Sequence, residues 1–200
     1  VRATVSSVVD PTFGKTIGEL GTLRRVLVDG TRVEVDVQLS TPAEAVKAKL
    51  AKAIDEALSP LGVEVIEIGW DVRVPTREAT STDPIPEVRN VILVMSGKGG
   101  VGKSTVSVNL ACALAKTGAK VGLVDCDVYG PDIPMMMGLG GEPQQFAGKL
   151  LPKERHGVRT MSIGYLLPEE KPVVWRGPMV HKLIEQFLSD VFWGPLDYLL

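Results

Sequence analysis

Gly97-Lys98-Gly99-Gly100-Val101-Gly102-Lys103-Ser104 fits the phosphate-cradling pattern G-x-x-x-x-G-K-[ST] at every fixed position. Its flanks are those the pattern requires. The apolar run Val91-Ile92-Leu93-Val94-Met95 leads into it, and helical spacing from Ser104 to Lys116 leaves it. Strand, glycine loop and helix in that order predict a nucleotide site; a glycine-rich turn without a ligand is the alternative. The residue types carry the chemistry. Glycines let backbone N–H groups approach a polyphosphate without Cβ clashes. The helix beginning near Lys103 turns its positive end toward the same anion. Lys103 reaches the β- and γ-phosphates as a point charge, and the Ser104 hydroxyl ligates Mg2+, with Thr105 as a second candidate.

Working outward, Val121 to Val124 is a second continuous apolar run, as a parallel strand covered on both faces requires. The helix between the two runs makes the crossover of a βαβ unit. Asp125-Cys126-Asp127 follows. Ligands of open α/β sheets bind beyond the carboxyl ends of the strands, so both acids belong at the phosphate end. Asp127 is expected to orient an attacking water or to bind Mg2+ through water; capping or solvating a turn is the other reading. Lys98 offers a second cation beside a polyphosphate, and reads equally as a solvated loop lysine. Beyond Asp132 the pattern predicts a loop over Gly138 to Gly148, a strand over Val158 to Ile163, a helix over Val180 to Phe192 and a strand from Leu196. Arg176, ahead of that helix, reads as an anion contact or as an ordinary surface arginine.

The first 74 residues have a different rhythm. Thr22 to Val28 reads as a strand, Asp29-Gly30 as a hairpin turn, and Arg32 to Leu39 alternates apolar and polar residues as a half-buried strand does. Thr41-Pro42-Ala43-Glu44 predicts a helix start with Thr41 as N-cap, Pro42 at the first helical position and Glu44 closing a capping box. Pro60 and Gly62 end that helix, and Val63 to Ile68 is a third strand. Residues 75–88, rich in Thr, Ser and Pro, read as a linker. The expected fold is α/β: a small α/β domain over 1–74, then a partial doubly wound parallel-sheet P-loop NTPase domain over 89–200.

Composition narrows the function. A net charge of −2 argues against a broad electrostatic grip on nucleic acid. No apolar run approaches the length of a membrane span, and the first residues carry no signal-peptide core. Two cysteines, Cys112 and Cys126, form no disulfide framework or CxxC pair. Cys112 reads as a small hydrophobe on a packed helix. His156 and His181 are isolated. A cytoplasmic protein, free of membrane and nucleic acid, is expected. Val1 in place of Met, and the apolar run that ends at Leu200, read as cut ends of a longer protein.

Ser96 to Thr105 resembles the deviant Walker A loop, with its signature lysine at Lys98. That loop marks the group holding the septum-site and chromosome-partition ATPases, the nitrogenase iron protein and the iron–sulfur carrier ATPases. Within the group, Asp125-Cys126-Asp127-Val128-Tyr129-Gly130-Pro131-Asp132-Ile133-Pro134, Trp175-Arg176-Gly177-Pro178-Met179 and Trp193-Gly194-Pro195-Leu196-Asp197-Tyr198-Leu199-Leu200 resemble the Mrp/ApbC iron–sulfur cluster carrier family. The first segment is similar to the small iron–sulfur assembly-factor domain that often precedes the ATPase. Glu44 stands where that domain often has cysteine.

The resemblance implies an ATP hydrolase that binds iron–sulfur clusters and transfers them to apoproteins. Gly97 to Thr105 would bind ATP. Lys103 and Ser104 would hold phosphate and Mg2+, Lys98 would reach across a homodimer to the partner's nucleotide, and Asp127 would be the switch acid. The bridging cluster, expected to be 4Fe-4S, would take its ligands from a C-terminal CxxC that this sequence does not contain. Apoprotein acceptors and iron–sulfur assembly factors are the implied partners. A partitioning or positioning ATPase is a competing reading; a docking module gated by nucleotide is another.

Overall fold

The computed structural model describes residues 1–166 and 177–200. It divides into two compact units, Val1–Pro75 and Thr76–Leu200. Among the described residues no helix is long and apolar enough to cross a membrane.

In the first unit, α1 (Arg2–Ser6) precedes a hairpin of β1 (Leu23–Asp29) and β2 (Arg32–Leu39), and α2 (Glu44–Leu58) crosses over to β3 (Val65–Val72). The sheet order is β1-β2-β3, with β1 antiparallel and β3 parallel to β2. The alternation in β2 sorts its faces. Val33, Val35, Val37 and Leu39 are buried with Leu50, Ile54 and Leu58 of α2 and with Val5, Val8 and Ile17. The opposite face is polar and cross-linked: Arg25 reaches Asp36 at 2.6 Å and Arg32 reaches Glu67 at 2.7 Å.

The predicted capping box at Thr41 does not form. The helix begins at Glu44, its N-cap is Ala43 in extended geometry, and no side chain caps it. With the helix starting this late, Thr41 lies outside the N-cap position and Glu44 stands in the first turn, where it pairs with Lys47 at 2.6 Å.

In the second unit, β4 (Val88–Val91) leads to α3 (Lys103–Lys116), β5 (Val121–Asp125) and the short α4 (Ile133–Met137). A small hairpin, β6 (Gln145–Phe146) with β7 (Lys149–Leu150), falls at the end of the segment expected to be loop. Then come β8 (Lys153–Arg155), β9 (Val158–Ser162), α5 (Gly177–Ser189) and β10 (Leu196–Leu199). The main sheet runs β4-β10-β5-β9-β8, parallel except for β8. It is packed on both faces, as in a doubly wound fold. Val108 and Ala111 of α3 meet Val121, Leu123 and Val158 on one side. Leu183 and Phe187 of α5 meet Met161, Leu196 and Leu199 on the other.

Asp197 locks β10 between its neighbours: its carboxylate takes Arg89 at 3.0 Å on one side and the Lys120 amide at 2.9 Å on the other. Gly122 is required where this strand passes, because a Cβ there would stand 2.6 Å from Leu199 and 2.7 Å from Leu196.

Two further expectations change. The strand entering the glycine loop is Val88–Val91, not Val91–Met95. Ile92 still donates to the Leu199 carbonyl at 2.8 Å, but no described strand runs beside Leu93 and Met95, which stay 79% and 81% exposed. And residues 77–88 form an ordered strap within the second unit. Arg77 pairs with Asp83 at 2.5 Å and donates to the Ile85 carbonyl at 2.7 Å and the Val88 carbonyl at 3.1 Å. Its own amide donates to the Arg89 carbonyl at 2.8 Å, on β4.

Candidate nucleotide-binding site

The glycine loop connects β4 to α3 at the carboxyl edge of the parallel sheet. Gly100 and Gly102 have φ of +72° and +90°, which L side chains reach only with strain. Gly102 is the N-cap of α3. Having no side chain, it cannot satisfy the first-turn amides as Ser or Asp would, and no acid stands in that turn to compete for them. The first helical bond runs from the Val106 amide to the Gly102 carbonyl at 2.9 Å. The Lys98 amide donates to the Ser96 hydroxyl at 3.2 Å. Among the described residues, no amide from Gly99 to Ser104 donates to another segment. The helix start is therefore left with open donors and a positive dipole end, the chemistry of an anion site.

A cavity of about 570 Å3 opens beside it. Ser96, Lys103, Ser104, Asp125, Cys126 and Asp127 line its polar part, and Leu93, Val180, Ile184 and Leu188 part of its apolar wall. The structure thus brings Lys103, Ser104 and Asp127 to one space. Gly97 to Val101, Lys98 included, and Thr105 are exposed and are not among the residues lining it. Gly102 is half-buried and does not line it either. Ser107 donates to the Lys103 carbonyl at 2.9 Å and Asn109 to the Thr105 carbonyl at 2.8 Å, which steadies the first turn of α3.

The two acids divide their work. Asp125 is buried and accepts from the Ser162 hydroxyl at 2.9 Å and the Asp127 amide at 3.1 Å. Burial pushes its carboxyl above the ordinary value, and these two bonds oppose the rise. Asp127 is exposed, and its carboxylate accepts from the Gly130 amide at 3.2 Å, closing the turn that presents it. Burial and the nearby Asp125 push the Cys126 thiol up, which disfavours the nucleophilic thiolate.

Among the described residues no group of three or more His, Cys, Asp or Glu could hold a metal. Both cysteines are free; Cys112 is half-buried on α3. His181 lies on α5 against Glu185 at 3.4 Å. Trp175 and Arg176 of the motif before α5 lie outside the described residues. Ser162 was not singled out by its sequence, although it stands opposite Asp125 in the β5–β9 register, and the same carboxyl-end rule that marks Asp125 applies to it.

A glycine loop with open amides, set between a parallel strand and a helix, defines the P-loop class of nucleotide-binding folds. Residues 87–200 match the NUBPL iron-transfer P-loop NTPases, and the chain belongs to that family. Residues 1–69 match a second family, described as iron–sulfur cluster assembly protein. The iron–sulfur cluster carrier protein of Synechocystis sp. is 41% identical over 207 residues, spanning 100% of this chain and 59% of the relative. That of Deinococcus radiodurans is 45% identical over 98% of this chain and 56% of the relative. The chain thus spans little more than half the length of these relatives. Among solved structures, a nucleotide-binding protein from Archaeoglobus fulgidus in complex with ADP is 44% identical, covering 57% of this chain and 44% of that one, with a TM-score of 0.50.

Proposed function

We propose that this chain is the ATP-binding and ATP-hydrolysing part of an iron–sulfur cluster carrier that hands clusters to apoproteins. One observation carries the nucleotide part of the reading: among the described residues the amides of Gly99 to Ser104 are unengaged, beside a cavity that Lys103, Ser104 and Asp127 share. The ADP held by the Archaeoglobus fulgidus relative and the carrier names of the curated relatives support it.

The residues fit a magnesium nucleotide. The loop amides and Lys103 would take the β- and γ-phosphates. Mg2+, ligated by the Ser104 hydroxyl and by Asp127 through water, would offset charge between those phosphates. Asp127 would also orient the water that attacks the γ-phosphorus; the β–γ bridging bond breaks and the leaving oxygen stays on ADP. Lys98 is exposed, makes no ion pair among the described residues and does not line its own cavity. The resemblance to the deviant Walker A group implies that Lys98 reaches the nucleotide of a second copy in a homodimer, and its exposed place leaves it free to do so.

The cluster is cargo. Its ligands would lie outside this chain, and a 4Fe-4S type is the form the family resemblance implies. The first unit, matching an assembly-protein family, would receive assembly factors. The reading places the protein in the cytoplasm.

The test is anaerobic reconstitution of the full-length protein, followed by transfer to an apoprotein with and without MgATP. Bound iron and sulfide in equal amounts, and transfer whose rate responds to MgATP, are expected. Nucleotide turnover without any iron or sulfide binding would contradict the carrier assignment.

A further inference from the structure

The segment that carries Asp127 is held from beneath by a buried polar pair. Asp125 ends β5 and Ser162 ends β9, and the two face each other in the register. Ser162 is fully buried; its hydroxyl donates to Asp125 at 2.9 Å and accepts from the Gly164 amide at 3.1 Å. The other oxygen of Asp125 takes the Asp127 amide at 3.1 Å. One carboxylate thus ties the end of β9 to the turn presenting Asp127. A second contact reinforces the tie. At Gly164 a Cβ would stand 3.0 Å from Pro134 and 3.3 Å from Pro131, so the turn after β9 lies directly against the segment between Asp127 and α4.

An apolar pair would fill the same space without desolvating a carboxylate. What the polar pair adds is direction: it sets where the next turn leaves the sheet. We infer that Ser162, acting through Asp125 and helped by the close approach at Gly164, is a positioning residue that sets the Asp127 carboxylate opposite Ser104 across the cavity. Ser162 does not line that cavity, so any effect it has on the ligand passes through Asp125. The inference rests on the reading that Ser104 and Asp127 share a magnesium nucleotide.

Full-length wild type, Ser162→Ala, Ser162→Thr and Gly164→Ala are titrated with ATP in Mg2+ and again in EDTA, with thermal melts alongside. Expected for Ser162→Ala is a Kd in EDTA within about twofold of wild type and a loss of about tenfold in the tightening that Mg2+ provides, as when a hydrogen bond to a charged group is lost. Ser162→Thr, which keeps the hydroxyl, recovers most of that tightening. Gly164→Ala keeps the polar pair but displaces Pro131 and Pro134, and loses part of it. A merely structural role would weaken both Kd values alike, and that result overturns the inference, as does unchanged Mg2+ tightening in Ser162→Ala. If Ser162→Ala does not fold, Gly164→Ala decides on the same two criteria. A wild type that binds ATP equally well with and without Mg2+ overturns the inference alone, and one that binds no ATP overturns the underlying reading with it.

Discussion

Asp10 to Gly21 in the first unit and Gly97 to Gly102, leading into α3, in the second are both irregular, and each carries two glycines in the left-handed region: Gly14 and Gly21 in one, Gly100 and Gly102 in the other. They dispose of their amides in opposite ways. In the first, Asp10 donates to Lys15 at 2.8 Å, Gly14 to Asp10 at 2.9 Å, Ile17 to Val8 at 2.8 Å and Gly18 to Ser6 at 3.0 Å. The Asp10 side chain takes the Thr12 amide at 2.7 Å, and Glu19 takes the Thr16 amide at 2.9 Å. A Cβ at Gly18 would collide with Ser6, because the loop is folded back onto the end of α1. In the second loop no amide from Gly99 to Ser104 is so engaged among the described residues. Helix-terminal donors left open to solvent bond to water, which an anion can displace, so a fold that leaves them open offers a place for one. Glycine content alone does not separate a structural loop from a binding one; the fate of the amides does.

The sharpest way to break the contrast is to remove the cation that works with the open amides. Lys103→Ala should weaken ATP binding in Mg2+ at least about a hundredfold, roughly 3 kcal/mol, because a charge-assisted contact to phosphate is lost. Lys15→Ala, on the closed loop, should leave the affinity unchanged. Calorimetric titration of both checks this, and equal affinities would contradict it.

A smaller effect sharpens the comparison by matching strain on the two sides. A Cβ at Gly14 or at Gly102 meets no heavy atom within 4 Å, yet both residues have positive φ. Alanine at either should cost stability by a similar amount, of order 1 kcal/mol. Only Gly102→Ala should also reduce nucleotide affinity, by about tenfold, because only there does the backbone meet a ligand. Chemical denaturation and nucleotide titration of the pair separate the shared effect from the private one.

The smallest effect concerns the strap that precedes β4. The hydrogen bond from Arg77, then that from the Ile85 amide, holds the Asp83 carboxyl below its ordinary value. A carboxyl depressed in the folded state stabilises the fold above the unfolded value, and that share is lost as pH falls through the folded one. Melting temperatures of wild type and Asp83→Asn should therefore differ at neutral pH and converge in acid. A gap that stays constant from neutral to acid pH would contradict this.

The two units were not equally legible in the sequence. The alternation of Arg32 to Leu39 and the apolar run of Val121 to Val124 state their faces directly, because packing on one face or on both writes itself into residue order. The phosphate loop was legible because its glycines and Lys103 sit at fixed spacing between a strand and a helix. What escaped depends on contacts distant in sequence or on elements too short for a period. The α4 helix spans only Ile133–Met137 and carries Pro134, which reads as a turn. The strap's Arg77 looked like one more polar residue in a proline-rich stretch until its partners Asp83, Ile85 and Val88 came together. Thr41 failed as a cap because the helix starts at Glu44, with Ala43 rather than Thr41 at the N-cap. Ser162 carried no motif; only the pairing of β5 with β9 sets it against Asp125.

The most direct test reads the amides themselves. Backbone N–H resonances of the isotopically labelled chain are followed as ATP and Mg2+ are added. Saturable shifts at Gly99 to Ser104, with the amides of Asp10 to Gly21 unmoved, are the predicted result. Saturating nucleotide that leaves the Gly99 to Ser104 amides where they were would show that the open loop is not where the phosphates go.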